Sequence, residues 1–344
     1  MKNNNSYRSS SRRRTPWDDM DVLSELETFI SSEYKDHYKA RHLKLTDSQK
    51  EIILLNSYKP ASCKICESTN FHKNGYTSNG IQRYKCNDCD QTFTILRNTI
   101  FENHKISLTE WIEFLLNLFG YSSINLNSKT NKNAPTTSKY WLAKVFLLLE
   151  DYQDGIILSD EVEIDETYYS VISSQIATID GVKLRGISNN KYCIAIGCDK
   201  NQLYCVLQGK GKPSINKTRK SFITHIKEGS TLIHDDEHSH SVLISELNLN
   251  SVSYSTKELK GLTDKDNPLR RINHYCFLLK KFLNSHPGFN RNELQGYLNL
   301  FSFMMNKPHN KLEKVNILLE LSLNTSKKLT YRQYYSSNKP KNRN

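Results

Sequence analysis

The stretch Glu161-Val-Glu-Ile-Asp165-Glu-Thr-Tyr-Tyr169 decides the fold of the C-terminal half of this chain. It is strand-like, and its position makes it the first strand of a predicted sheet. Carboxylates in a core strand are costly unless they bind a cation. The sequence therefore makes Asp165 a candidate metal ligand, with a solvated acid on an edge strand as the alternative.

The segments that follow this stretch alternate between strand-like and helical patterns. Further strand-like runs fall at Tyr192–Cys198, Leu203–Leu207, Thr231–His234 and Val252–Ser255. Helical runs fall at Lys217–Ile226, between the last two strands, at about Asn273–Leu283 and at Asn292–Met305. Three strands, helix, strand, helix, strand, helix is the order of an RNase H-like mixed sheet. We expect such a mixed α/β domain over residues 156–310.

Two further polar positions belong with Asp165. Asp235 ends the run Thr231-Leu-Ile-His-Asp235, at the carboxyl end of a strand, where open α/β sheets place their active sites. It could instead be a turn or helix cap, and Asp236 competes for the ligand role. Asn273 stands seven residues before Lys280, so both lie on one helix face. A lone Asn at a helix start is usually an N-cap, and spacing alone favours that alternative.

Oxygen ligands from two strands and one helix suit Mg²⁺ or Mn²⁺. Two such ions can activate a water or a DNA 3′-hydroxyl and stabilise the leaving oxygen in an in-line phosphoryl transfer. In this hypothesis Asp165 bridges both ions, while Asp235 and Asn273 each complete one. Lys280 contacts a DNA phosphate.

Four cysteines form two CxxC pairs, Cys63-Lys-Ile-Cys66 and Cys86-Asn-Asp-Cys89. Each pair can place two thiolates on one ion, which predicts a closed tetrahedral site for one structural Zn²⁺ in a zinc ribbon. The alternative is four unrelated cysteines. The predicted apolar cluster of the ribbon is Phe71, Tyr76, Tyr84 and Phe93, with a hairpin turn at Asn79-Gly80. Its predicted basic surface is Lys64, His72, Lys73, Arg83, Lys85 and Arg97. The remaining cysteines, Cys193, Cys198, Cys205 and Cys276, are predicted core residues.

The ribbon is flanked by helical patterns. Ser107 is a candidate N-cap with Glu110 completing a capping box, and Gly120 can end that helix. Asn125–Thr137 is predicted to be a loop. A second helix at Ser138–Asp151 would be the recognition helix of a helix-turn-helix-like pair. Its groove-facing residues would be Lys139, Tyr140 and Lys144. An ordinary helical linker is the alternative.

Composition limits the class of protein. The chain has 344 residues, 37% of them hydrophobic, and a formal net charge of +12. Such an excess favours a polyanionic partner, although a merely soluble basic protein has the same balance. No apolar run approaches the ~20 residues of a membrane helix, and the start lacks the apolar core of a signal peptide. We expect a cytoplasmic protein whose cysteines stay reduced.

These patterns together predict a multidomain α+β protein. The predicted segments are a basic disordered arm (1–16), an N-terminal helical segment (17–58), a zinc ribbon (59–97), helix-turn-helix-like DNA-binding helices (98–155), the RNase H-like catalytic domain (156–310) and a basic C-terminal tail (311–344).

The order of these motifs resembles that of bacterial insertion-sequence transposases of the zinc-ribbon DDE class, in the branch whose third catalytic position is Asn. The resemblance covers roughly residues 60–305. It rests on the CxxC pairs, Glu163-Ile-Asp165-Glu166-Thr, Gly209-Lys-Gly-Lys-Pro213, His234-Asp235, Ile272-Asn273 with Lys280, and Leu294-Gln-Gly-Tyr-Leu-Asn-Leu-Phe-Ser-Phe303. Asp236 departs from the pattern, because such motifs often have Gly there.

The resemblance implies a DNA transposase that cuts and joins DNA at the terminal inverted repeats of its own element. It maps the catalytic triad onto Asp165, Asp235 and Asn273, with Lys280 as an accessory. Partners would be double-stranded DNA, both the element's ends and the target, and another copy of the chain when two ends are paired. A bacterial, nucleoid-associated location follows. The alternatives are a catalytically silent transposase-derived DNA-binding protein and a metal-dependent nuclease on the same fold.

Overall fold

The computed structural model of the chain describes residues 48–103, 107–131, 133–263 and 265–337. The predicted basic arm 1–16 lies outside these residues, and so do residues 17–47 of the predicted helical segment. The chain divides into two compact units. One contains the described residues up to Leu142 and those from Ser322 onward, and the other runs from Ala143 to Leu321.

The regular elements follow in chain order. The helices are α1 Ser48–Ser57, α2 Leu108–Phe119, α3 Ile124–Thr130, α4 Pro135–Leu148, α5 Ile215–Phe222, α6 Ser241–Glu246, α7 Thr256–Leu259, α8 Arg270–Ser285, α9 Leu294–Met305, α10 Lys311–Asn324 and α11 Tyr331–Ser337. The strands are β1 Phe71–Tyr76, β2 Gln82–Cys86, β3 Thr92–Thr94, β4 Glu161–Ser170, β5 Thr178–Ile179, β6 Val182–Lys183, β7 Lys191–Cys198, β8 Leu203–Lys210, β9 Thr231–Asp235 and β10 Asn250–Tyr254. In the part of the chain so described, every helix is too short or too polar to cross a lipid bilayer.

Strands β1, β2 and β3 of the first unit form a small antiparallel sheet. The predicted turn at Asn79-Gly80 is confirmed, since Gly80 has φ +80° and donates its N–H to the Thr77 carbonyl. Phe71, Tyr84 and Phe93 pack with the cysteines. Including Tyr76 in this cluster was wrong. It is 60% exposed, because a register irregularity between Lys73 and Tyr76 displaces the strand end from the core.

The helices of the first unit confirm one expectation and correct another. The Ser107 hydroxyl accepts the Glu110 N–H and caps α2, which ends at Gly120. The predicted loop at Asn125–Thr137 contains helix α3. Its polar residues pack inward through amide hydrogen bonds, with Asn127 donating to the Phe114 carbonyl and accepting from the Asn131 amide.

The second unit is built on a five-stranded sheet of order β10-β9-β4-β7-β8. β4, β7 and β8 pair antiparallel in succession, whereas β9 is parallel to β4 and β10 is parallel to β9. This mixed topology is compatible with an RNase H-like domain. The five predicted strands are present, each within three residues of its expected ends. β4 is an interior strand, paired with β9 through Glu163 and with β7 beyond it, so Asp165 does not lie on an edge strand of the sheet.

Helices cover both faces of this sheet. Val162 and Ile164 of β4 join a buried cluster with Phe222 of α5 and Leu243 of α6. On the other face, α8 follows β4, since the Ile272 N–H bonds to the Glu163 carboxylate and the Tyr169 hydroxyl to the Leu283 carbonyl. α9 packs against β8 on this second face. The alternation of β4 therefore assigns its odd-numbered side chains, including Asp165, to the α8 side.

Candidate active site and metal centres

Asp165 lies in the central strand of the sheet, on the face covered by α8. One carboxylate oxygen, Oδ1, accepts the Glu166 N–H at 2.7 Å, and Oδ2 accepts the Cys276 thiol at 3.6 Å. Burial raises the pKa of Asp165 to about 6, and the negative charge of Asp235 contributes in the same direction. The carboxylate is thus held where its charge is poorly solvated, which favours binding of a cation.

Asp235 is the last residue of β9, the strand parallel to β4. The final pair of that ladder is Glu163 with Ile233, so Asp165 and Asp235 each stand two residues beyond it, on the same face. Asp235 Oδ1 accepts the Glu237 N–H at 3.3 Å, so it also stabilises the turn that follows. Asp236 is exposed. The structure therefore places Asp165, in the middle of β4, next to Asp235, at the carboxyl end of the parallel strand β9.

Asn273 lies inside helix α8, which begins at Arg270, and its N–H donates to the Leu269 carbonyl. This position excludes the N-cap alternative, because a cap precedes the first helical residue. The Asn273 side chain is exposed and lines a cavity of about 1040 Å³ together with Glu163 and Ile233. Neither Asp165 nor Asp235 is among the described residues that line this cavity. Asn273 therefore lies near Glu163 and Ile233, the paired residues that stand two positions before Asp165 and Asp235.

Lys280 is exposed on α8, seven residues after Asn273. An extended cation on that helix can reach a phosphate that approaches from solvent. Cys276 lies between them in sequence, is buried, and contacts Asp165 directly. Cys276 was predicted only to be a core residue, because a single cysteine in a helix has no ligand spacing.

Glu163 has a structural role that the sequence did not reveal. Its buried carboxylate accepts the Ile272 N–H at 2.9 Å through Oε2 and pairs with Arg271 Nε at 2.9 Å through Oε1. The N-cap residue of α8, Leu269, offers no side-chain acceptor. Glu163 thus caps α8 from the neighbouring strand, where the positive end of the helix dipole favours an anion. This contact fixes α8, and with it Asn273 and Cys276, against β4.

On the opposite face of the sheet, a second polar cluster surrounds the end of β9. His240 is fully buried, and its Nδ1 lies 3.1 Å from His234 Nδ1 and 3.8 Å from Asp235 Oδ1. His240 Nε2 lies 3.4 Å from Glu166 Oε1. Burial opposes protonation of His240, but the adjacent Glu166 carboxylate outweighs it and raises the His240 pKa. Glu166 and His240 are functional candidates that sequence reasoning missed, because five residues separate the two histidines in the sequence and only the turn after β9 brings them together.

The four cysteines of the first unit converge on one point. Cys63 Sγ lies 3.8 Å from Cys89 Sγ, and Cys66 Sγ lies 3.6 Å from Cys86 Sγ. Four sulfurs at ~2.3 Å from a tetrahedral Zn²⁺ would be separated by about 3.8 Å, so the cluster fits that ion. The alternative of four unrelated cysteines is excluded by these distances.

Both halves of this cluster have the same backbone form. The first cysteine of each pair donates its N–H to the carbonyl five residues later, from Cys63 to Ser68 and from Cys86 to Gln91. The residue after each second cysteine, Glu67 or Asp90, has a positive φ, 61° and 56° respectively. Two turns of the same shape thus present their thiols to a common centre.

Several residues predicted to face DNA lie elsewhere. Lys64 is buried and donates to the Leu323 carbonyl, so it is not on the basic surface of the ribbon. Lys144 is also buried, because it lies on the inward side of α4. The Tyr140 hydroxyl donates to the Leu329 carbonyl. Of the three residues expected to face the groove, Lys139 is exposed. Helical periodicity did not separate the two sides of α4, because lysines occur on both.

No protein-family model and no curated protein matches this chain. Among solved structures, the Mos1 strand transfer complex is 12% identical, with a TM-score of 0.29, over 61% of this chain and 73% of that one. The mariner Mos1 paired end complex with Mg is 13% identical, with a TM-score of 0.28, over 66% and 77%. A chain of the simian T-cell lymphotropic virus intasome, in complex with PP2A regulatory subunit B56 gamma, is 11% identical, with a TM-score of 0.29. The match covers 45% of this chain and half of that one. At these scores, the function of this chain has to be argued from its own strand order and side chains.

Proposed function

We propose that this chain is a DNA transposase of the zinc-ribbon DDE class, from the branch with Asn at the third position. It would bind the terminal inverted repeats of a bacterial insertion sequence and catalyse metal-dependent cleavage and strand transfer. The observation that carries this proposal is the pairing of Asp165 and Asp235. They stand side by side on parallel strands of an RNase H-compatible sheet, where the charge of one raises the pKa of the other.

Asp165 would hold both catalytic ions, with Asp235 and Asn273 each completing the coordination of one. When bound, Mg²⁺ or Mn²⁺ would activate the attacking oxygen and stabilise the leaving one. Asp235 is favoured over Asp236, since its charge acts on Asp165 whereas Asp236 is exposed. Lys280, exposed on the same helix as Asn273, would contact a DNA phosphate. Asn273 reaches this constellation only if its amide turns from the adjacent cavity toward the aspartates.

Cys63, Cys66, Cys86 and Cys89 would hold one structural Zn²⁺ and thereby fix the ribbon. DNA recognition is assigned to the ribbon and to the helices of residues 98–155, and catalysis to residues 156–310. The net charge of +12 supports a polyanionic partner. Joining two ends requires at least two copies of the chain. The basic segments 1–16 and 311–344 would add phosphate contacts, although the second of these also contains α10 and α11.

The test is an in vitro reaction with DNA that carries the inverted repeats flanking the gene, with Mg²⁺ added. We expect cleavage and strand joining from the wild type, and neither from Asp165→Ala or Asp235→Ala, while binding of the DNA end persists. Asp236→Ala is the matched control, because it removes an exposed carboxylate one residue away. Binding without cleavage by the wild type would indicate a silent DNA-binding protein. Cleavage without joining would indicate a nuclease.

The third ligand is tested separately by Asn273→Asp and Asn273→Ala. If the amide oxygen binds an ion, the carboxylate of Asn273→Asp should shift the cleavage optimum to lower Mg²⁺ concentration. Asn273→Ala should be inactive for lack of the ligand. Identical Mg²⁺ titrations for all three proteins would remove Asn273 from the site.

A further inference from the structure

At the end of β9, two histidines without a role in the proposed DNA chemistry converge on Asp235. His234 is the penultimate residue of the strand, Asp235 the last, and His240 ends the short 3-10 turn that follows. The two Nδ1 atoms are 3.1 Å apart, and His240 Nδ1 is 3.8 Å from Asp235 Oδ1. One ligand atom from each of the three residues lies within 4.8 Å of the others.

These distances between the two Nδ1 atoms and the carboxylate oxygen are typical of ligand atoms that bind one metal ion. Two imidazole nitrogens at ~2.0–2.1 Å from a tetrahedral ion would lie roughly 3.3 Å apart. The observed distance of 3.1 Å needs little adjustment. Two unprotonated nitrogens would repel each other at this distance, so either a proton or a cation must stand between them.

The outer nitrogens of both rings are also held. His234 Nε2 is hydrogen-bonded to the Ser251 hydroxyl at 3.0 Å, and His240 Nε2 lies 3.4 Å from the Glu166 carboxylate. Histidines that bind metals usually donate their second N–H to such oxygens, which fixes the ring and directs the other nitrogen at the ion. Ser251 and Glu166 come from the strands on either side of β9. Both rings are therefore oriented with Nδ1 toward the common centre.

Burial completes the arrangement. His234 and His240 are 5% and 0% exposed, whereas the Asp235 side chain is 46% exposed. The two imidazoles are thus shielded from solvent, while the carboxylate is accessible to it. Water could therefore reach an ion bound between them from the Asp235 side.

We propose that His234 Nδ1, His240 Nδ1 and Asp235 Oδ1 form a binding site for a divalent transition-metal ion at the carboxyl end of β9. Two imidazoles and a carboxylate suit ions of the zinc and iron type better than Mg²⁺, which prefers oxygen ligands. This site is additional to the four-cysteine cluster, and its two histidines are not ligands in the proposed catalytic site. It shares Asp235 with that catalytic site, so it lies directly beside the proposed chemistry.

The experiment measures zinc bound to the full chain after dialysis against a buffer of fixed, micromolar free Zn²⁺. We expect the wild type to hold a second equivalent of zinc beyond that of the cysteine cluster. His240→Gln and His234→Gln should each lose one equivalent. His238→Gln is the matched control, since His238 is exposed on the same turn and should have no effect. Asp165→Asn should also keep both equivalents, which separates this site from the α8 face.

A second measurement needs no variant. In chain labelled with ¹⁵N-histidine, added Zn²⁺ should shift the Nδ1 resonances of two histidines and leave their Nε2 protons in place. A wild type that holds only the zinc lost in Cys86→Ser, with unshifted ring nitrogens, would overturn the proposal and assign the pair to a shared proton. Zinc binding is measured without DNA. An inactive protein that binds the second zinc refutes the DNA chemistry alone, and an active one without it refutes this site alone.

Discussion

Replacing Asp165 by asparagine should stabilise the metal-free protein while abolishing the proposed chemistry. Burial is the main reason why the pKa of this carboxyl rises from 3.8 to about 6. A rise of one in a pKa corresponds to about 1.4 kcal/mol. Ionising Asp165 therefore costs roughly 3 kcal/mol more in the folded chain than in the unfolded chain. Well below the unfolded pKa of 3.8 the group is protonated in both states and its contribution to stability is fully present. That contribution is lost as the pH rises through about 6.

An opposing cost follows from the hydrogen bonds. The two oxygens of Asp165 accept from the Glu166 N–H and the Cys276 thiol, and asparagine has only one acceptor for them. Losing one of these bonds costs about 1 kcal/mol. Asp165→Asn should therefore be less stable than wild type by about 1 kcal/mol at about pH 3 and more stable by about 2 kcal/mol at pH 7.5.

Urea unfolding of both proteins at a series of pH values, without added Mg²⁺, measures this difference. Asp236→Asn is the control, because the same change at an exposed position should stay within about 0.5 kcal/mol at every pH. Mg²⁺ added at pH 7.5 should stabilise wild type and narrow the gap, since an ion that binds only the folded state raises its stability. A difference between Asp165→Asn and wild type that does not change with pH would refute the reasoning.

Three other substitutions test single contacts. Cys86→Ser should release one zinc per chain, measured by metal analysis, and melt the ribbon without unfolding residues 143–321, because structural zinc contributes directly to folding. Gly296→Ala should lower the free energy of unfolding by about 1–3 kcal/mol, since a Cβ there would lie 2.6 Å from the Phe146 ring; trimming that ring in a Phe146→Leu background should recover part of the loss. Glu163→Gln should cost about 1–3 kcal/mol in urea unfolding, because Arg271 loses its charged partner; an unchanged midpoint would mean that Glu163 does not hold α8.

The strands of the sheet were predictable because each is marked by a short run of apolar residues in its own sequence. Apolar runs such as Tyr192–Cys198 are fully embedded, and β7 is buried along nearly its whole length. The helix α3 was missed for the opposite reason. Its sequence, Ile124–Thr130, is polar, and it is fixed by tertiary amide contacts such as that of Asn127 with the Phe114 carbonyl. A pattern of hydrophobic residues does not predict such hydrogen bonds between amide side chains and the backbone.

The candidate site was predictable to the same extent. Asp165 was a candidate because carboxylates in a core strand are costly, Asp235 because it ends a strand, and the cysteine cluster because of its spacing. Burial of Lys64 and Lys144 did not follow, because a lysine that donates to a buried carbonyl looks in sequence like any solvated lysine. His240 did not follow either, since only the closing of the turn after β9 brings it to His234.

The carboxylates of strand β4 differ in how their negative charge is compensated, and this difference indicates where a cation would bind. Three carboxylates of β4 are held inside the second unit, and their surroundings differ. Glu163 is neutralised by Arg271 and by the start of α8, and Glu166 faces His240. Asp165 is met by a backbone N–H, a thiol and the negative charge of Asp235. A cation added to this strand would therefore gain most beside Asp165, because Asp165 itself is met only by neutral donors and by a second negative charge. On this reasoning the cost of burying Asp165 is the physical basis of the proposed metal-dependent chemistry.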